Sequence, residues 1–175
     1  ANGIAPLVYL LQPDAPAEAV QQAAGALRNL AANHAVNKDA IREDDGIKAL
    51  VRILIVGVQP EPSQQVAGAI WSLAANNMTN QDAIRMAGGI APLVALLRTG
   101  AESMAAQKAA GALANLASNG TNKDKIREEG GIAPLVELLR AGARADGPHE
   151  SGQHAAAVLA NLASNPINKD AIRDA

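Results

Sequence analysis

The residues in this chain that could carry out chemistry are few, and their spacing does not suit it. The three histidines are His34, His149 and His154. His149-Glu150-Ser151-Gly152-Gln153-His154 is close to the HExxH string that places two imidazoles on one helix face for zinc, but it is one residue too long and contains a glycine. Two histidines five apart do not share a helix face, so no metal and no cofactor is expected. Glu43-Asp44-Asp45 reads as the solvated end of a helix rather than an acid–base pair. The glycines precede apolar helices without a following Lys-Ser/Thr, so no phosphate loop is present. With no cysteine there is neither thiolate chemistry nor a disulfide framework. No enzymatic activity is expected.

A different polar set recurs with a fixed period. The string GIAPLV begins at Gly3, Gly89 and Gly131, with the variant GIKALV at Gly46, giving spacings of 43, 43 and 42 residues. NKDAIR and its variants follow from Asn37, Asn80, Asn122 and Asn168. Between these lies QAAGALRNLAAN from Gln22, recurring as QVAGAIWSLAAN, KAAGALANLASN and HAAAVLANLASN. Three markers in one order over four copies define a single repeat array, cut at 1–45, 46–88, 89–130 and 131–175. A period of this length belongs to helical solenoids with two or three helices per unit.

Three helices are expected in each unit. Pro6, Pro92 and Pro134 sit where a first helical turn tolerates a missing N–H. Turns are expected at Pro13-Asp14, Pro60-Glu61-Pro62 and Thr99-Gly100, and a long helix over Ala17–Ala32 and its copies. Asn37, Asn80, Asn122 and Asn168 are expected to N-cap a short third helix, closed by Gly46, Gly88-Gly89 or Gly130-Gly131. Asn33, Asn76, Asn119 and Asn165 are expected to end the long helix. The fourth unit carries a longer loop between Gly142 and Gly152.

At about 100° per residue the long helix divides into two faces. Val20, Ala23, Ala24, Ala26, Leu27, Leu30 and Ala31 form the core side of the first copy. The opposite side carries Glu18, Gln21, Gln22, Gly25, Arg28 and Asn29. The later copies present Glu61, Gln64, Gln65, Gly68, Trp71 and Ser72; Gln107, Lys108, Gly111 and Asn115; and Glu150, Gln153, His154, Ala157 and Asn161. Stacked, these form ladders: Gln21, Gln64, Gln107, Gln153, and Asn29, Ser72, Asn115, Asn161.

Composition bounds the reading further. The chain is 49% apolar and 18% charged, with no Phe, one Trp and one Tyr, so Ala, Leu, Ile and Val must build the core. The net charge of -2 gives no support to a nucleic-acid partner. The longest apolar stretch, Ala49 to Val58, is interrupted by Arg52 and is too short to span a bilayer. Without cysteine or a visible signal peptide, an intracellular setting (cytoplasm or nucleus) is expected. Asn77-Met78-Thr79 and Asn119-Gly120-Thr121 match the glycosylation triplet but read as turn chemistry.

The GIAPLV, AAGALRNLAAN and NKDAIR markers together resemble the armadillo repeat family over essentially the whole chain. The AAGALRNL form is more similar to the β-catenin and plant armadillo branch than to importin-α, which typically carries a Trp where Gly25, Gly68, Gly111 and Ala157 stand here. The resemblance implies an all-α, right-handed solenoid of three helices per repeat. It also implies a scaffold that holds an extended peptide of a partner protein in a concave groove lined by the long helices.

The groove residues would be Gln21, Gln22, Gly25, Arg28, Asn29, Gln64, Gln65, Gly68, Trp71, Ser72, Gln107, Lys108, Gly111, Asn115, Gln153, His154 and Asn161. Asn29, Asn115 and Asn161 would hold the peptide backbone or, alternatively, tie neighbouring helices together. The glycines would give an open groove floor or allow close approach of the next unit. Trp71 would anchor a ligand, with Arg28 reaching across to stack on it, or pack between repeats. Helix axes about 8–10 Å apart, against about 3.3 Å per extended residue, allow roughly two to three peptide residues per unit.

The terminal units lack polar caps, so a segment of a longer protein or a trimmed array is expected, with end-to-end association of molecules. Two further readings stand beside the scaffold. One is a structural or designed array that assembles through its ends. The other is the targeting arm of a larger enzyme such as a ubiquitin ligase.

Overall fold

The computed structural model describes residues 3–57, 60–144 and 146–175. Val58, at the end of the long apolar stretch, and Ala145, in the fourth loop, lie outside the described residues. Every described regular element is a helix: α1 Ile4–Tyr9, α2 Ala17–Ala31, α3 Ala35–Glu43, α4 Gly46–Val56, α5 Pro60–Ala74, α6 Met78–Met86, α7 Ile90–Leu97, α8 Met104–Leu116, α9 Gly120–Glu128, α10 Ile132–Gly142, α11 His149–Leu162 and α12 Pro166–Asp174. No described helix is long and apolar enough to cross a membrane.

The order is one short apolar helix, one long helix and one short polar helix per unit. The long helices stack in series, α2 on α5, α5 on α8 and α8 on α11, while α4, α7 and α10 form a second layer behind them. One continuous core runs through the stack, with Leu27, Ile53, Ile70, Leu93, Leu113, Leu135 and Leu162 among its fully or almost fully buried side chains. Small and branched side chains suffice because helix axes in such a stack lie close together. Two expected core residues are left out: Ala26, which is half-buried and lines a hollow beside Gly25, and Leu30, which is 37% exposed, whereas its copies Leu73, Leu116 and Leu162 are buried. Among the described residues the only long helix packed on α2 is α5.

The first residue of the GIAPLV string is set by packing. A Cβ at Gly46, Gly89 or Gly131 would lie 2.6 to 2.9 Å from the Cγ2 of Ile41, Ile84 or Ile126, and no farther than 3.0 Å from that isoleucine's carbonyl oxygen. The residue before each glycine turns the chain at positive φ: Gly88 (81°), Gly130 (72°) and, in the first copy, Asp45 (60°).

The junction between long and short helix departs from the expected capping. Asn37, Asn80, Asn122 and Asn168 are not N-caps. Each is the third residue of its helix, and the caps are His34, Asn77, Asn119 and Asn165, whose side chains accept from Asn37 N, Asn80 N, Thr121 N and Ile167 N. Asn33 and Asn76 lie beyond the long helix in the left-handed conformation (φ 53° each), as their expected role requires. Asn119 and Asn165 do not share that role. The sequences NLASNGTN and NLASNPIN are one residue shorter here than NLAANHAVN, so one asparagine must begin the next helix and none is left for the turn. Pro60-Glu61-Pro62 is likewise the opening of α5 rather than a turn, because Pro at a helix start costs no hydrogen bond.

The displaced asparagines seal the seam between units. The last carbonyls of α5 lack partners within their own helix. Asn80 Nδ2 donates to Leu73 O at 3.1 Å, Gln81 Nε2 to Ala74 O at 3.0 Å, and Lys38 Nζ, from the preceding unit, to Ala75 O. Asn80 Nδ2 also donates to Lys38 O (3.3 Å), and its Oδ1 accepts from Arg42 (2.9 Å). Asn37 and Asn122 make the matching bond to Leu30 O and Leu116 O.

Candidate functional site

The polar side of each long helix faces away from the second layer, and the stacking of α2, α5, α8 and α11 joins these sides into one surface. Its chemistry differs along its length. At the α2 end, Gln21, Gln22, Gly25, Arg28, Asn29 and Gln65 line an open hollow of about 430 Å³. Arg28 organises it by donating to Gln65 Oε1 at 2.8 Å and to Asn29 Oδ1 at 3.3 Å.

Gly25 lines the open hollow, but the glycines of the next two copies do not form an open floor. Gly68 and Gly111 are buried, each under a side chain from the unit before. A Cβ at Gly68 would lie 3.2 Å from Arg28 Cδ, and one at Gly111 2.8 Å from Trp71 Cε2. Close approach of the adjacent unit therefore accounts for Gly68 and Gly111, and not for Gly25. The rule extends to the exception: Ala157 replaces Gly in the fourth unit, where the residue in the covering position is Ala114.

Trp71 does not meet Arg28. Its ring lies on Gly111 and reaches α11, where His154 packs edge-on at 4.9 Å between centroids with the planes at 77°. Lys108 Nζ sits 5.2 Å from the ring centroid, a cation–π distance. Glu150 completes the group, 3.9 Å from Lys108 Nζ and 3.7 Å from His154 Nε2. Sequence reasoning placed Glu150 on the same arc but not among the site residues. Its signal was the four-residue spacing to His154, which puts both on one helix face.

Burial, and secondarily Lys108, hold His154 below its ordinary pKa near 6.5, against the opposing pull of Glu150. As pH falls below about 6.5, the unfolded chain takes up this proton before the folded chain does, so this group removes stability down to its folded pKa and no more beyond it. His154→Gln should abolish this component. In urea titrations the wild type is expected to lose stability relative to the variant as pH falls below about 6.5. Parallel pH profiles for the two proteins would contradict the assignment.

The asparagine ladder is divided. Asn115 Nδ2 donates to Trp71 O (3.1 Å) and Asn161 Nδ2 to Ala114 O (3.3 Å), both across to the preceding long helix. Ser72 is half-buried and Asn29 exposed. The helix-tying role is thus present at two of the positions. Each amide still has a second N–H, and neither Oδ1 accepts from a described residue. Of the glutamines, Gln64 is half-buried, but Gln107 is buried rather than exposed, with its Oε1 unpartnered among the described residues. Gln153 opens onto a separate hollow of about 270 Å³ beside His149 and Leu139. His149 itself has Nδ1 within hydrogen-bond distance of Gly142 O (2.8 Å), far in role from His154.

Comparison with known proteins agrees with this architecture. A profile of the Armadillo/beta-catenin-like repeat matches residues 1–32 and 77–118. No curated protein matches. Among solved structures, an engineered protein is 32% identical over 99% of this chain and 68% of its own, with a TM-score of 0.86. A designed armadillo repeat protein is 30% identical, over 98% of this chain and 69% of its own, also at 0.86. A computationally designed armadillo repeat protein for modular peptide recognition is 26% identical, over 98% and 69%, at 0.85. On these matches and this geometry, the chain belongs to the armadillo repeat family and is a helical repeat scaffold.

Proposed function

We propose that the face formed by α2, α5, α8 and α11 binds an extended peptide segment of another protein and catalyses nothing. The observation that carries this reading is the Asn115 and Asn161 pair. Each amide is fixed by one bond to the neighbouring helix and keeps a donor and an acceptor for a ligand backbone. A side chain already held in place loses less entropy on binding. Similarity to a protein designed for modular peptide recognition supports the same kind of partner. The Arg28 hollow and the half-buried Trp71 supply places for ligand side chains, and Trp and Arg commonly dominate binding energy.

Random peptides displayed on phage and selected on the protein provide the test. Peptides that bind this face should shift Trp71 emission. Replacing Asn29, Asn115 and Asn161 together by Ala should weaken them at least about tenfold, close to 1.4 kcal/mol, with helical circular dichroism retained. A selection in which no peptide shifts Trp71 emission and none loses affinity for the triple variant would reject the groove.

A further inference from the structure

Outside the long-helix face, one copy departs from the other three at a pair of positions that come together. Position nine after the GIAPLV glycine is Gln12, Arg98 and Arg140 in three copies but Ile55 in the copy that contains α4. The fourth residue after the NKDAIR aspartate is Glu43, Glu128 and Asp174 in three copies but Met86 in the other. Both exceptions replace a polar residue by a large apolar one, and both are left in solvent, Ile55 at 60% and Met86 at 78% exposed. They line the same hollow of about 520 Å³ between α4 and α6. A second hollow, about 470 Å³, adjoins it on the far side of Ile55, towards α7.

The charges around the hollow changed in the same direction. Next to Met86, Ala87 stands where Asp44 and Glu129 are found in two other copies. Lys48 stands where the others have Ala5, Ala91 and Ala133, and Arg52 where they have Tyr9, Ala95 and Glu137. Carboxylates have left this site and cations have arrived. Among the described residues, Arg52 donates to neutral acceptors, Leu11 O and Gln12 Oε1. Lys48 pairs with Asp45 at 2.8 Å, but both side chains are largely exposed, and such pairs exchange readily. Nothing in the fold requires these changes, since the other copies reach the same backbone without them.

We propose that this hollow is a second docking site, which takes a large apolar side chain from an acidic segment of another protein. The apolar walls seat the anchor, and Lys48 and Arg52 at the rim receive the flanking carboxylates. The volume lies within the range of pockets that enclose a ligand group. A concave wall suits an inserted side chain, whereas a membrane surface would call for a protruding apolar edge. The site shares no lining residue with the long-helix groove and does not depend on it.

The test uses phage-displayed random peptides selected on the intact chain, with counter-selection on a variant carrying Ile55→Arg and Met86→Glu. Those substitutions restore residues that the other copies already accommodate, so helical circular dichroism should be unchanged. Enriched peptides should be acidic with a large apolar anchor. Each single substitution should weaken a labelled selected peptide at least about tenfold. Trp71 emission should not move, and the Asn29, Asn115 and Asn161 variant should bind as the wild type does, so this site and the groove stand or fall separately. The proposal is overturned by enrichment of basic or uncharged sequences, by no enrichment, or by binding of the anionic vesicle phosphatidylserine–phosphatidylcholine in place of peptides. Self-association of the chain that Met86→Glu abolishes would also overturn it, since a second copy would then be the occupant.

Discussion

Replacing Asn80 by Ala is expected to destabilise the chain by about 2–4 kcal/mol, the sum of several buried hydrogen bonds and a small cavity. The side chain is fully buried and uses both ends. Its loss leaves Leu73 O and Lys38 O without their amide donor and removes one of the acceptors of Arg42, which keeps Asp39 and Glu43. An unmade buried bond costs more than a made one contributes, because water cannot replace the missing partner. The same substitution at Asn37 should cost under about 1 kcal/mol, since its bond to Leu30 O is solvent-accessible. Urea midpoints of the two variants, followed by circular dichroism, give the comparison. Equal losses would mean that the seam around Asn80 does not hold the units together.

The helix glycines should give effects of opposite sign from one substitution. Gly111→Ala places a Cβ 2.8 Å from Trp71 Cε2, and the ring is also held by His154 and Lys108. Overpacking of this kind costs about 1–3 kcal/mol and outweighs the gain of about 1 kcal/mol from removing a mid-helix glycine. A net loss of about 1–2 kcal/mol is expected. In a Trp71→Ala background the obstacle is gone, and Gly111→Ala should stabilise by about 0.5–1 kcal/mol. Gly25→Ala should stabilise in the wild type by a similar amount, because only Gln65 Oε1 lies near, at 3.6 Å. Gly68→Ala falls between, since Arg28 Cδ at 3.2 Å belongs to a side chain that can move aside. A Gly111→Ala effect unchanged by Trp71→Ala would show that the ring does not set the glycine.

The seam and the covered glycines bear on binding through one property. On the proposed reading, a peptide lying across several units would meet a surface whose spacing is fixed by bonds between units: Asn80 at the junction, Asn115 and Asn161 across the long helices, and Trp71 from α5 to α11. Rigid spacing lowers the entropy lost when a ligand engages several units together.

The capping of the short helices shows how far local reasoning reaches. NLAAN before a short polar helix announces that asparagine will begin it, but the chain offers two or three in succession. Which one caps depends on how many residues the turn between two packed helices must span. A one-residue difference in length moved the role from Asn77 to Asn119, and the asparagines three residues later became buried partners of another helix.

The stacked helical order and most of the apolar side of each long helix were legible in the chain itself. They follow from periodicity, and periodicity is local: an apolar residue every third or fourth position commits a helix to bury that side wherever it lands. The groove was legible only in outline. That Trp71 covers Gly111 and meets His154, that Gln107 is buried, and that Ile55 and Met86 share one hollow depend on pairs from different units. Tertiary structure decided these because side chains far apart in sequence compete for the same space, and only the packed units determine which of them occupies it.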